Sequence, residues 1–450
     1  MKNLCLMALL SCLVIFASCN DDEQFADAKL NKQVRKLLEK ADPENGVSGF
    51  ILPESDDFAN IPQDPQNPLT TDKVALGKLL FHETALGTRA KYAVGLKSYS
   101  CASCHQVAAG FQAGRRQGIG DGGVGFGFKG EGREKSPIYE EDSLDVQPIR
   151  SPTFLNSAYQ ELMLWNGQFG ATGANTGTED RWPAGTPIAT NFQGFEGVET
   201  QALAGLRVHR LELSDDIVQN QEYRDLFEGA FPGVSDAERY TLDNVGLAIA
   251  AYERVVLANQ SPWQNWLRGE NNALSTAQLR GAKLFFGSAN CVACHTGPAL
   301  NTMEFYALGM DDLQGSDIFL AAPTGAGANL GRGGFTGVAD DNFKFKVPQL
   351  YNLSEAGIFG HGGTFNSIEE VIEYKNNGVS ENSSVPASQL ADEFEALHLS
   401  GDDVDDLVAF IRDGLRDPNL ERYVPTQLPT GACFPNADLQ SKIDLGCATN

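Results

Sequence analysis

The 450-residue chain is poor in positive charge. It has 34 Lys and Arg against 59 Asp and Glu, for a formal net charge of −25. That balance excludes nucleic acid as a partner and excludes attraction to anionic lipid by charge. It suits a soluble body, and equally one that receives a partner carrying a basic patch. Long apolar runs are as scarce. The only one, from about Leu4 to Phe16, is too short for a membrane span. Histidine is rare, six in all, and the stretch from Gln106 to Arg150 contains none. That stretch therefore offers no imidazole as a ligand. Cysteine is also sparse, nine in all, and its placement carries most of the chemistry.

Four cysteines stand in two copies of one pattern, CASCH at 101–105 and CVACH at 291–295. In C-x-x-C-H the two thiols add across the vinyl groups of a haem and the adjacent imidazole takes the iron. On a helical turn, positions i, i+3 and i+4 share a face. Cys101, Cys104 and His105 can then reach one porphyrin, and Cys291, Cys294 and His295 another. Either motif alone also reads as a redox C-x-x-C or half a zinc site. Two copies, each completed by His, favour two covalently bound haem c groups.

Cys5, Cys12 and Cys19 lie in MKNLCLMALLSCLVIFASCNDDE. Lys2, the apolar run and the small residues after it make residues 1–18 a secretory signal. FASC resembles a bacterial lipobox, with Phe16 where Leu is commoner, so cleavage leaves Cys19 lipidated. The NDDE that follows resembles the surface-export signal of Bacteroidetes lipoproteins. The alternative is an ordinary signal peptide cut nearby. Either way the chain is exported, to the periplasm or, lipid-anchored, to the outer membrane or cell surface. In that oxidising setting Cys433 and Cys447 are expected to pair rather than remain free thiols. A loop of about 15 residues closed in this way contributes roughly 3 kcal/mol.

The length suggests two or three domains. VALGKLLFHE precedes the first motif and LRGAKLFFGS the second, and both read as short amphipathic helices. LDNVGLAIAAYERVVL (242–257) and DDVDDLVAFIRDGL (402–415) read as closing helices. The expected layout is a lead at 19–64, one haem domain at 65–260, a second at 270–425 and a disulfide-closed tail at 426–450. GIGDGGVGFGFKGEG (118–132) lacks the strand–turn–helix context of a phosphate cradle and reads as a flexible cover over the first haem.

From about residue 65 to 425 the chain resembles the bacterial di-haem cytochrome c peroxidases, the family that includes MauG. The resemblance rests on ALGKLLFHETALG, CASCHQVAAGFQAGR, RSPTFLNSAY, LWNGQFG, EGVETQALAG, CVACHTGPALN and FKVPQLYNLSEAGIFGHGGTFNSIEEVIEY. It implies a mainly α fold of two c-type cytochrome domains with long irregular loops, each binding one covalent haem. It implies a peroxide-reactive first haem and an electron-transfer second haem, with calcium between the domains in many members and homodimers in many.

By the match to EGVETQALAG, Glu199 is the carboxylate that moves protons at the first iron; only that match places it above Glu196. Many members block the first iron with a His from the loop after the first motif. That loop has none here, so His105 is expected as the only protein ligand of that iron. For the second iron, laying SIEEVIEYKNNG on the family's ligand helix puts Lys375 where Met or Tyr is usual, with Tyr374 beside it. Burial would favour the neutral amine that ligation needs. Met303 and Met310 are rivals. His82, His209, His361 and His398 read as packed or surface residues, and Trp165 as a core residue or an electron-transfer aid.

The leading function is reduction of hydrogen peroxide to water with electrons from a small cytochrome c or cupredoxin. The alternatives are a MauG-like oxidase of a protein or small organic substrate, and a non-enzymatic electron-transfer lipoprotein. Residues 171–195 form an insertion to which the sequence assigns no role.

Overall fold

The structure is a computed structural model that describes residues 27–323 and 325–448. The expected signal segment and Cys19 lie outside the described residues. The chain is mainly helical. The helices that position the site are α1 (27–41), α2 (Thr71–His82), α3 (Gly197–Val208), α4 (Gln221–Ala230), α5 (Leu242–Val255), α6 (Pro262–Leu267), α7 (Thr276–Phe285), α8 (Ile368–Asn377) and α9 (Gly401–Ala409). Among the described residues strand is confined to two antiparallel pairs, β1 (Gly123–Val124) with β2 (Glu134–Lys135) and β3 (Phe305–Tyr306) with β4 (Phe345–Lys346). Among the described residues no helix is long and apolar enough to cross a membrane.

The two halves repeat one packing device. α2 starts at Thr70, whose side chain accepts from Lys73 N–H. α7 starts at Ser275 with Gln278 completing a capping box. Each then crosses its closing helix through a glycine. A Cβ on Gly77 would stand 1.8 Å from the Ala248 carbonyl oxygen of α5, and one on Gly281 2.0 Å from the Asp406 carbonyl oxygen of α9. Only a residue without a side chain lets these backbones approach so closely.

The halves share a core. Trp263 and Trp266 of α6, at the expected junction, are fully buried and stacked, with ring centroids 5.2 Å apart. Trp263 also stacks on Phe286 and meets Phe410 edge-on. α1 covers this layer from outside, with Arg35 over the Trp266 ring at 4.3 Å.

The irregular segments are tied down through buried polar groups. The glycine-rich stretch expected as a flexible cover is wrapped around Arg133. The Arg133 guanidinium donates to the carbonyls of Ile119 and Gly120 and pairs with Asp438 of the tail. The tail, closed by the Cys433–Cys447 disulfide, runs beside the first haem motif. Ser100 Oγ donates to the Pro435 carbonyl at 2.9 Å, and Ala437 N–H to that of Ser98 at 3.0 Å. The insertion at 171–195 folds into 3₁₀ turns held by two buried amides. Asn191 bonds Gly170 and Gln168, and Asn175 bonds Gly167 and Gly170 while accepting from Arg332 of the second half.

Candidate functional site

The two haem motifs adopt one geometry. Cys101–Ser103 and Cys291–Ala293 are each a single 3₁₀ turn, and all four motif thiols are free. His105 Nδ1 lies 3.1 Å from the Phe111 carbonyl, and His295 Nδ1 lies 3.1 Å from the carbonyls of both Leu300 and Pro348. A carbonyl only accepts, so Nδ1 carries the proton and Nε2 keeps its lone pair for a metal. Burial lowers both imidazoles to about 4, so both are neutral, as ligation requires. Phe111 and Leu300 are themselves in the left-handed region, with φ of 57° and 49°. That conformation is costly outside glycine and persists where surroundings impose it. In both halves it aims a carbonyl at the histidine. Phe81 of α2 and Phe285 of α7 flank His105 and His295 respectively.

These residues fit two haems. The thiols are unpaired, and burial pushes Cys104 up to about 12 and Cys291 to about 11. Among the described residues no group of three or more His, Cys, Asp or Glu is arranged to hold a metal ion. A cavity of about 580 Å³ opens over His295, bounded by Cys291, Cys294, Met310, His361 and Lys375. Its volume lies in the range of about 300–1,000 Å³ usual for cofactor pockets.

Lys375 sits in the last turn of α8. Among the described residues its amine has no hydrogen-bond or ion-pair partner. Burial lowers its pKa, opposed by the thiols of Cys291 and Cys294. Tyr374 is committed elsewhere, its hydroxyl donating to the Leu308 carbonyl at 2.6 Å. Met310 bounds the same cavity and Met303 does not. His361 stacks on Phe345 at 3.7 Å and reaches Asp312 through Nε2 at 3.3 Å. Trp165 Nε1 donates to the Arg150 carbonyl at 2.8 Å. His82 is buried and bonded to the Lys78 carbonyl, His209 faces Asp145 at 2.9 Å, and His398 is exposed.

Glu199 lies in the first turn of α3, fully buried. Both its oxygens are taken, by Arg254 Nε at 2.8 Å and Nη2 at 2.6 Å, and Asn67 Nδ2 adds a third contact at 3.2 Å. Glu196 shares the same guanidinium at 2.9 Å. The preceding residue of α5, Glu253, differs. It is 5% exposed, and its Oε2 has no partner among the described residues. Burial, with the Glu199 charge added, raises its pKa to about 8. It is close enough to the first motif that its charge, after burial, raises the Cys101 thiol.

Sequence reasoning passed over Glu253, Arg150 and Lys346. AYERVVL reads as part of a closing helix, and the signal in it for Glu253 is the pair of adjacent opposite charges inside an apolar run, which marks a buried network. Arg150 and Lys346, both buried against the same cavity, stand in apolar contexts that mark them in the same way.

Residues 71–272 match the family model of the di-haem cytochrome c peroxidases. Over 371 residues the chain is 28% identical to cytochrome-c peroxidase IdrP1 of Pseudomonas sp. strain SCT, covering 78% of this chain and 83% of that protein. It is 28% identical to methylamine utilization protein MauG of Methylorubrum extorquens, covering 82% and 84%. A crystal structure of a MauG-like protein associated with microbial copper homeostasis matches with a TM-score of 0.55 at 25% identity, covering 82% of this chain and 95% of that one. The chain is thus similar to the di-haem cytochrome c peroxidases and MauG, a family of oxidoreductases built around two c-type haems.

Proposed function

We propose that this protein reduces hydrogen peroxide to water, drawing electrons from a small cytochrome c or cupredoxin. The observation that carries the reading is the pair of matched histidine–carbonyl arrangements within one shared core. Peroxide reduction consumes two electrons and two protons, and two linked redox centres can each hold one equivalent. The haems, when bound, supply the iron chemistry and the electron path; the rest falls to this chain's side chains.

His105 would hold the first iron as its only protein ligand, since residues 106–150 have no second imidazole to offer. His295 would hold the second, and the Lys375 amine, with Met310 as the rival, would be the further residue to hold it. Proton movement belongs to the buried carboxylates Glu199 and Glu253, the second of them close to Cys101. Glu199 is the residue the resemblance names, and Arg254 fixes both its oxygens. Glu253, next to that pair, has a free oxygen and keeps its proton up to about 8, as a proton donor near neutral pH must.

Between the halves, Lys346 Nζ links Gln160 Oε1 to the Leu162 carbonyl. Calcium, which the resemblance implies for many members, stays part of the proposal. Export, a lipid anchor on Cys19 and homodimerisation complete the proposal. The acidic surface suits a donor with a basic docking patch.

A second reading, MauG-like oxidation of a protein or small organic substrate, is favoured by the lack of a second imidazole in residues 106–150 and by relatives of that name. Peroxide titration of the purified holoprotein, oxidised and pre-reduced, tests both. The expected result is a mixed-spin oxidised spectrum, reaction with peroxide without prior reduction, and sustained turnover with a reduced cytochrome c. Reaction without donor-supported turnover would move the assignment to the oxidase. An oxidised protein whose first haem is purely low-spin and inert to peroxide would overturn the open-site reading.

A further inference from the structure

Arg150 is 2% exposed, and its Nε and Nη2 have no hydrogen-bond partner among the described residues. Its backbone is held on both sides. Its N–H donates to the His361 carbonyl at 3.0 Å, and its own carbonyl accepts from Trp165 Nε1 at 2.8 Å. The residue belongs to the first half, yet its side chain lines the cavity over His295. Burial lowers its pKa to about 10, so the guanidinium remains charged at neutral pH.

The rest of the cavity wall sharpens the imbalance. Lys346 is buried and donates only to neutral oxygens, those of Gln160 and Leu162. Lys375 has no ionic partner among the described residues. The acids at the cavity lie at its edge: Asp312 is partly exposed and faces His361, while Asp392, Glu393 and Glu395 are exposed. A chain with a formal charge of −25 thus keeps a buried guanidinium in this wall with no carboxylate against it. A buried charge left unpaired is strongly unfavourable, and a guanidinium fork is shaped for a carboxylate.

We infer that Arg150 binds a propionate carboxylate of the second haem, so that a side chain of the first half anchors the cofactor of the second. The inference rests on the proposed second haem. It makes Arg150 a positioning residue that also sets the charge beside that haem. A guanidinium near the porphyrin disfavours the more positive ferric state, and its loss must lower the reduction potential.

The test uses full-length protein made in a host competent for cytochrome assembly. Intact mass comes first: a wild-type product with fewer than two haems overturns the di-haem reading and this inference with it. Given two haems, Arg150→Gln and Arg150→Lys are titrated spectroelectrochemically across pH. The expected result is a lower midpoint for the low-spin haem in Arg150→Gln, with a propionate ionisation newly visible in its pH dependence. Arg150→Lys keeps the midpoint, and the other haem is unmoved in both. A di-haem Arg150→Gln protein with the wild-type midpoint and pH dependence overturns the inference, as does an equal shift of both haems. Should Arg150→Gln fail to fold, resonance Raman of Arg150→Lys decides: the propionate bending band of the second haem shifts if Arg150 holds it and is unchanged if it does not.

Discussion

Replacing Arg254 with Met would expose what Glu199 is for. The guanidinium makes four contacts: two to Glu199 at 2.8 and 2.6 Å, one to Glu196 at 2.9 Å and one to the Pro62 carbonyl at 3.1 Å. Both side chains of the Glu199–Arg254 pair are 0% exposed. Without Arg254, a fully buried carboxylate retains only the Asn67 amide at 3.2 Å. Breaking a buried pair in this way costs about 3–5 kcal/mol. The Glu196 contact, whose carboxylate is 23% exposed, adds less than about 1 kcal/mol. A double variant, Glu199→Gln with Arg254→Met, removes both charges of the pair and should recover most of the loss. Urea unfolding of the haem-loaded proteins, followed by far-ultraviolet circular dichroism, gives all four corners of the cycle. A single variant costing under about 1 kcal/mol, or a double variant with no recovery, refutes the network. The restored double variant then answers the functional question. If Glu199 moves the proton, peroxide turnover falls on the order of 10²–10⁴-fold. If Glu253 does, turnover survives the double variant and is lost in Glu253→Gln.

Lys375→Ala is expected to abolish the low-spin signature of the second haem while Met310→Ala leaves it in place; an unchanged spectrum in Lys375→Ala, read by electron paramagnetic resonance, removes Lys375 from the iron. Glu253 carries a sign that pH can check. Its carboxyl is raised from 4.5 to about 8, so the native state holds a proton that the unfolded state releases. Its contribution to stability is therefore complete below pH 4.5 and is lost as pH climbs to about 8. Glu253→Gln should erase that decline in a urea-midpoint series, and an identical slope in both proteins would contradict the assignment. Gly281→Ala places a methyl 2.0 Å from the Asp406 carbonyl oxygen and should destabilise by about 1–3 kcal/mol or more. An unchanged melting temperature would show that α7 and α9 do not depend on the crossing.

What was legible follows from how local each constraint is. The two Cys and the His of C-x-x-C-H serve one expected haem from within five residues, so Cys101, Cys104, His105 and their second-half counterparts are legible in the sequence. The repeat of ALGKLLF and RGAKLFF was visible as paired helices. That Gly77 and Gly281 mark backbone crossings was not, because the partners Ala248 and Asp406 lie far along the chain. The carbonyls aimed at the haem histidines were hidden for a different reason: Phe111 and Leu300 take left-handed conformations that residue type discourages.

The same distinction separates the two glutamates. Glu199 could be named from its neighbours in EGVETQALAG, but its meaning depends on Arg254, on another helix and across a sequence separation of 55. Burial decides the rest. Glu253 has no motif, yet the helix that supplies Arg254 to one carboxylate carries the next residue into the same apolar layer without a partner. An arginine placed to neutralise Glu199 and Glu196 has nothing left for a third acid. A proton on Glu253 keeps that layer neutral, and it puts an ionisable hydrogen close to Cys101, where the proposed peroxide reduction would use one.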